Sequence, residues 1–191
     1  MSTAKNRLLD WGVPVGLFLL FFFFYNFGKI SPSEMVKNTG LLAITLLGIT
    51  LAVGPLSRIF PALEPLKTHR KFWGIASFLI ALVHGGLVLI YYKKISLISP
   101  GILSGILALI ILFLVTMTSN QKALTKLSPK VWKAVQLTSY LAMALAVSHF
   151  YLMEQVGGVL VIKRLLGQIT FVFAILVIVL RVLILLMPVK K

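Results

Sequence analysis

No cysteine occurs anywhere in this chain, which excludes structural disulfides, thiolate ligation of a haem iron and cysteine-held iron–sulfur clusters. Acids are almost missing as well. Asp10, Glu34, Glu64 and Glu154 stand against 19 lysines and arginines, for a formal charge of +15. Histidine is scarce: only His69, His84 and His149 occur. The chain also lacks any glycine-rich phosphate or dinucleotide motif and any internal repeat.

What fills the chain is hydrocarbon. Of its 191 residues 59% are hydrophobic, and the mean hydropathy is +1.02. A water-soluble domain of this size would have to expose that apolar surface to water, so the chain reads as an integral membrane protein. In a soluble protein the basic excess would point to nucleic acid. Here the basic residues lie between apolar runs, where membrane topology and anionic lipid headgroups account for them. The expected partner is therefore the lipid bilayer, and no nucleic acid. The first long run, "WGVPVGLFLLFFFFYNFG", is followed by no small-residue cleavage site, so it reads as a retained anchor.

A spanning helix needs about 20 apolar residues. Six stretches qualify, at about 11–28, 39–57, 73–92, 99–118, 132–153 and 165–187. Short connections rich in Pro, Ser, Lys and Asn separate them, among them "KISPSEMVKN", "RIFPALEPLKTHRK" and "EQVGGVLVIKR". The expected fold is an all-α membrane protein, a single domain over 1–191 built as a six-transmembrane-helix bundle with no stretch left for a soluble domain. Twelve basic residues fall on the side shared by the N-terminus, the second and fourth loops and the C-terminus: Lys5, Arg7, Arg58, Lys67, Arg70, Lys71, Lys122, Lys126, Lys130, Lys133, Lys190 and Lys191. Six fall opposite: Lys29, Lys37, Lys93, Lys94, Lys163 and Arg164. The bias of positive charge places both termini in the cytoplasm, so the third and fifth spans run in the same direction, outward.

His84 lies on the third span, eight residues before Tyr92, and His149 on the fifth, five residues before Glu154. Their expected depths differ by roughly 4–5 Å at 1.5 Å per residue, which puts both in the outer half of the membrane. Ionisable side chains at that depth face the bundle interior and mark pathways or bound groups. Three readings compete. Each histidine can make an interhelical hydrogen bond, worth about 0.6–2 kcal/mol. A zinc site is weaker, since three or four ligands are usual and the span offers no third. A tetrapyrrole held by axial imidazoles from two parallel helices meets the geometry. Small residues near both histidines (Gly85 and Gly86, Ala76 and Ala81, Ala142, Ala144, Ala146 and Ser148) leave room for a flat macrocycle or for close helix packing.

The stretches "TLAVGPLSR" (Thr50 to Arg58), "RKFWGIASFLIALVH" (Arg70 to His84), "TSNQKALTKLSPKVWKAVQLTSYL" (Thr118 to Leu141) and "SHF" resemble the ferric reductase-like transmembrane domain over roughly residues 39–152. Within it the likeness is greatest to the haem-binding membrane subunit of the bacterial periplasmic methionine sulfoxide reductase system. The resemblance implies a membrane b-type cytochrome in the bacterial inner membrane, with His84 and His149 as axial ligands of an outer haem b. The inner layer departs from the family's pattern. Where the motif has histidine, "WKAVQ" has Gln136, thirteen residues or about 20 Å below His149. The matching level on the third span falls at Arg70. Glutamine is a poor iron ligand, so one haem is expected, and Arg70 with Gln136 form a degenerate second site. Arg70 and Lys71 also suit haem propionates, although the positive-inside bias accounts for them without one.

His69 is expected as an exposed loop histidine near the headgroups. Arg181, the only charge in the last span, is expected to snorkel to the cytoplasmic surface. The resemblance further implies electron delivery to a periplasmic oxidoreductase partner, with membrane quinol or a separate flavin reductase as donor. The chain offers no room for flavin and nicotinamide domains of its own. A stand-alone ferric or cupric reductase and a non-redox membrane scaffold that kept the fold are the competing classes.

Overall fold

Three Ser-Pro pairs begin helices in this chain. Ser31, Ser99 and Ser128 each adopt extended backbone, and each hydroxyl accepts from the N–H three residues on: Glu34 at 3.2 Å, Ile102 at 3.4 Å and Val131 at 3.3 Å. The proline that follows occupies the first helical position, where its missing N–H costs nothing and its fixed φ suits the helix. The structure is a computed structural model that describes residues 4–24, 31–92 and 96–187.

Helix α1 spans Ala4–Leu19 and continues as a wider π turn over Leu20–Phe24. Helix α2 spans Pro32–Ile59, and a 3-10 helix over Pro61–Thr68 leads into α3, Arg70–Tyr91. Helix α4 is Pro100–Thr118 and α5 is the short Gln121–Lys126. Helices α6, Pro129–Leu137, and α7, Ser139–Met153, form one span with a joint at Thr138. At that joint the Thr138 and Ser139 hydroxyls donate to the Val135 and Gln136 carbonyls at 2.7 and 2.6 Å, a back-bonding that bends helices. Helix α8 is Leu165–Leu186.

Five of these are long and apolar enough to cross a membrane: α2, α3, α4, the α6–α7 unit and α8. The first expected span is met by a shorter apolar helix, Leu8–Phe23. Its expected end at 25–28 lies outside the described residues, as do Lys29, Lys93, Lys94, Lys190 and Lys191. The second span starts at Pro32, seven residues before its expected boundary, because the Ser31 cap carries the helix through a polar turn. The α7–α8 connection departs from an all-helical chain. Gln155–Val156 pairs antiparallel with Val159–Leu160 across Gly157 and Gly158, whose φ values of 60° and 82° are those a two-residue hairpin turn requires.

Helix α2 is the centre of the bundle. Two thirds of its apolar window (67%) is buried, against 17–22% for the other four spans, whose remaining faces are left for lipid. It packs against α3 and α8, while α4 packs against α7. One cluster of Ile44, Leu47, Leu51, Phe78, Leu112, Ala142, Met143 and Ala174 joins five of these helices. The starts of α2 and α8 meet at one end through the Glu34–Arg164 ion pair, and Lys37 lies 3.7 Å from Glu154 there. This is the histidine end. The opposite end carries Arg70, Arg181 and His69.

Candidate functional site

His84 reaches from α3 to the first turns of α2. Its Nδ1 lies 2.9 Å from the Val36 carbonyl oxygen and 3.5 Å from Thr39 Oγ1. His149 reaches from α7 to the first turn of α4, where its Nδ1 lies 2.7 Å from the Gly101 carbonyl oxygen. A carbonyl only accepts, so each Nδ1 carries hydrogen and donates. In the neutral ring this leaves the Nε2 lone pair unused on both histidines. The two ring centres are 6.1 Å apart with their planes at 76°. Helices α3 and α7 do not pack closely on each other; each rests on its own neighbour, and the two imidazoles meet across the interval.

Two glycines allow this approach. A Cβ on Gly40 would fall 2.9 Å from His84 Cε1, and one on Gly105 would fall 2.8 Å from His149 Nδ1. The two glycines that follow His84 in sequence do not line this approach. At Gly85 the nearest atom to an added Cβ is Leu109 at 3.9 Å, and at Gly86 nothing lies within 4 Å. Sequence reading missed Gly40, Gly105 and their carbonyl partners. The available signal was a glycine beside a hydroxyl residue, Thr39-Gly40 and Ser104-Gly105, inside a helical apolar run, where glycine needs a packing reason.

At the opposite end the structure does not bring Arg70 and Gln136 together. Arg70 donates from Nε to the Thr50 carbonyl at 2.9 Å, and its guanidinium lies along Gly54 of α2. Gln136 turns to the end of α4. Its amide donates to Val115 O and Thr118 Oγ1 at 3.3 and 3.2 Å, and its oxygen accepts from Ser119 at 3.3 Å. Tyr140 donates to the Leu51 carbonyl at 2.8 Å. Phe78, Ala142 and Met143 are buried in the core cluster on the histidine-bearing helices, one to two turns below the imidazoles.

One expectation is corrected here. His69 is not an exposed loop residue: it is 3% exposed, its Nδ1 lies 2.7 Å from Asp10 Oδ1, and its ring stacks on Trp73 at 5.6 Å. The partner is an acid on α1 that no local pattern reveals. Arg181 of α8 faces Tyr140 of α7. Its guanidinium carbon lies 5.2 Å from the centre of the Tyr140 ring, within the range of a cation–π contact.

Among the described residues no group of three or more His, Cys, Asp or Glu side chains converges as it would around a bare cation. The arrangement is instead a pair of facing imidazoles inside a bundle of helices long and apolar enough to span a membrane, the architecture of a multi-span membrane protein. The profile of the family described as ferric reductase like transmembrane component matches residues 39–147, more than half of the chain, and the chain belongs to that family. Membership points to electron transfer in the membrane. Arg70, His84 and Gln136 fall inside the matched stretch, and His149 lies two residues past its end.

Proposed function

We propose that this chain is a membrane b-type cytochrome that holds one haem between His84 and His149 and serves an acceptor at the histidine end. The observation that carries the reading is the ring pair itself. Two imidazoles that shared one metal ion would stand about 6 Å apart, from metal–nitrogen bonds of about 2.0 Å and on the order of 1 Å more to each ring centre. The rings stand 6.1 Å apart. Both Nδ1 atoms are committed to backbone carbonyls, the second interaction that metal-bound histidines usually make, which fixes the tautomer and orients the ring. Bound there, haem supplies a one-electron iron couple. The chain's residues supply ligation, depth and a water-poor surround.

A single haem is favoured because the second layer is already engaged. Gln136 spends its amide on α4, Arg70 donates from Nε to α2, and Phe78, Ala142 and Met143 pack in the core below the imidazoles. The likeness to the membrane subunit of the periplasmic methionine sulfoxide reductase system supports a periplasmic oxidoreductase as acceptor. It also supports quinol or a separate flavin reductase as donor, and the bacterial inner membrane as location. The shallow position of His149, bonded to the second residue of α4, favours a second reading. A stand-alone ferric or cupric reductase also needs its metal centre near the surface, and direct reduction of a chelated metal without a partner protein distinguishes it.

The test is a reduced-minus-oxidised spectrum with a haem-to-protein count on the purified protein. One low-spin b-type haem per chain is expected, and His84→Ala or His149→Ala should each remove that spectrum. A colourless protein, or unchanged spectra in both variants, would sink the reading.

A further inference from the structure

His84 and His149 rest on different helices, yet their surroundings repeat. On α2 the Val36 carbonyl accepts from His84 Nδ1, and Gly40 four residues later lies under the ring. On α4 the Gly101 carbonyl accepts from His149 Nδ1, and Gly105 four residues later lies under the ring. In a helix the residue four places on is the one whose N–H already bonds that carbonyl. The same oxygen also accepts from the hydroxyl three residues on, Thr39 Oγ1 at 2.9 Å on Val36 and Ser104 Oγ at 2.8 Å on Gly101, so the imidazole adds a further donor to a shared acceptor. To reach it, the ring must lie flat along the helix wall over the i+4 residue. Only a residue without a Cβ permits that: at Gly40 the Cβ would stand 2.9 Å from Cε1 and 3.1 Å from Nδ1, and at Gly105 2.8 Å from Nδ1 and 3.1 Å from Cε1.

We infer that Gly40 and Gly105 are positioning residues, each forming with the carbonyl four residues earlier a backbone seat that sets one imidazole's tautomer and azimuth. They touch no reacting atom and act through His84 and His149. Glycine is a poorer helix former than alanine, so the helices themselves gain nothing from these two positions. The seats hold each ring with Nε2 as the unprotonated nitrogen and set the 76° angle between the planes. The spectroscopic consequence rests on the cytochrome reading; the tautomer does not.

The experiment has two arms. In the first, Gly40→Ala and Gly105→Ala are compared with Gly12→Ala, a helical glycine on α1 away from the histidine pair with open space around it. Alanine should favour helix at all three, so a loss confined to the first two comes from the ring contact. Haem affinity should fall about 10–100-fold in those two variants, the cost typical of losing a metal ligand's supporting hydrogen bond. Their low-spin electron paramagnetic resonance should shift as the planes rotate, while Gly12→Ala keeps the parent's signal. Parent-like affinity and resonance in both seat variants would overturn the inference.

The second arm uses haem-free protein in detergent with 15N-labelled histidine, its resonances assigned from His84→Gln and His149→Gln. Both histidines should carry the proton on Nδ1. A proton on Nε2 at either position overturns the seat there, even if the alanine variants fail to fold. A parent that binds no haem yet shows both Nδ1–H tautomers would sink the cytochrome reading and leave the seats standing.

Discussion

Asp10 and His69 lie 59 residues apart in sequence and 2.7 Å apart in space, with side chains 10% and 4% exposed. Next to them the Trp73 indole donates to the Leu9 carbonyl at 3.1 Å, so two polar contacts pin the start of α1 to the start of α3. Asp10→Ala leaves the His69 ring buried without its partner. The expected cost is about 1–3 kcal/mol, read as a lower thermal midpoint of the detergent-solubilised protein; an unchanged midpoint would show that the contact contributes nothing. Gln136 gives the opposite kind of prediction. Its amide holds α6 to the end of α4, so Gln136→Ala should loosen that joint and leave the haem count at one per chain. Two haems in the parent would overturn the single-site reading.

Among the elements, the Ser99 cap has a consequence beyond its own helix. It secures the first turn of α4, and that turn presents the Gly101 carbonyl to His149. Ser99→Ala should cost about 1 kcal/mol of stability and weaken haem retention, whereas Ser128→Ala should cost a similar amount and leave retention alone. Equal retention in the two variants would separate the cap from the site. The spans α3, α4 and α8 were legible to within three residues, because each is an unbroken apolar run closed by polar residues. The start of α2 was not. Glu34, Lys37 and Asn38 look like a loop in sequence, but their partners Arg164, Glu154 and the Phe21 carbonyl come from distant segments and make a helical turn tenable. His69 was misread for the same reason. The histidine pair was legible from depth and direction alone. The glycines beneath it were not, since their role depends on which helices become neighbours.

For the whole molecule, the distribution of basic residues argues for a cytoplasmic arginine end. A reporter fused after Lys191 should register the cytoplasm, and one inserted in the loop at 93–99 should register the outside. The reverse pattern would place His84 and His149 on the inner face and exchange donor for acceptor. Helix α2 makes the arrangement cohere, because it carries the His84 seat at one end and the Thr50 carbonyl that holds Arg70 toward the other.

The depth of the ring pair also has an electrical side. His149 leans on the second residue of α4, which sets the pair toward the end of the bundle away from Arg70. On the proposed reading an electron entering at the arginine end would cross part of the transmembrane field before reaching it, and one full crossing is worth about 2.3 kcal/mol per 100 mV. Were that end to face a negatively polarised cytoplasm, as the basic residues argue, the resting voltage would drive electrons outward. An ionophore that collapses the voltage would slow delivery with no side chain altered.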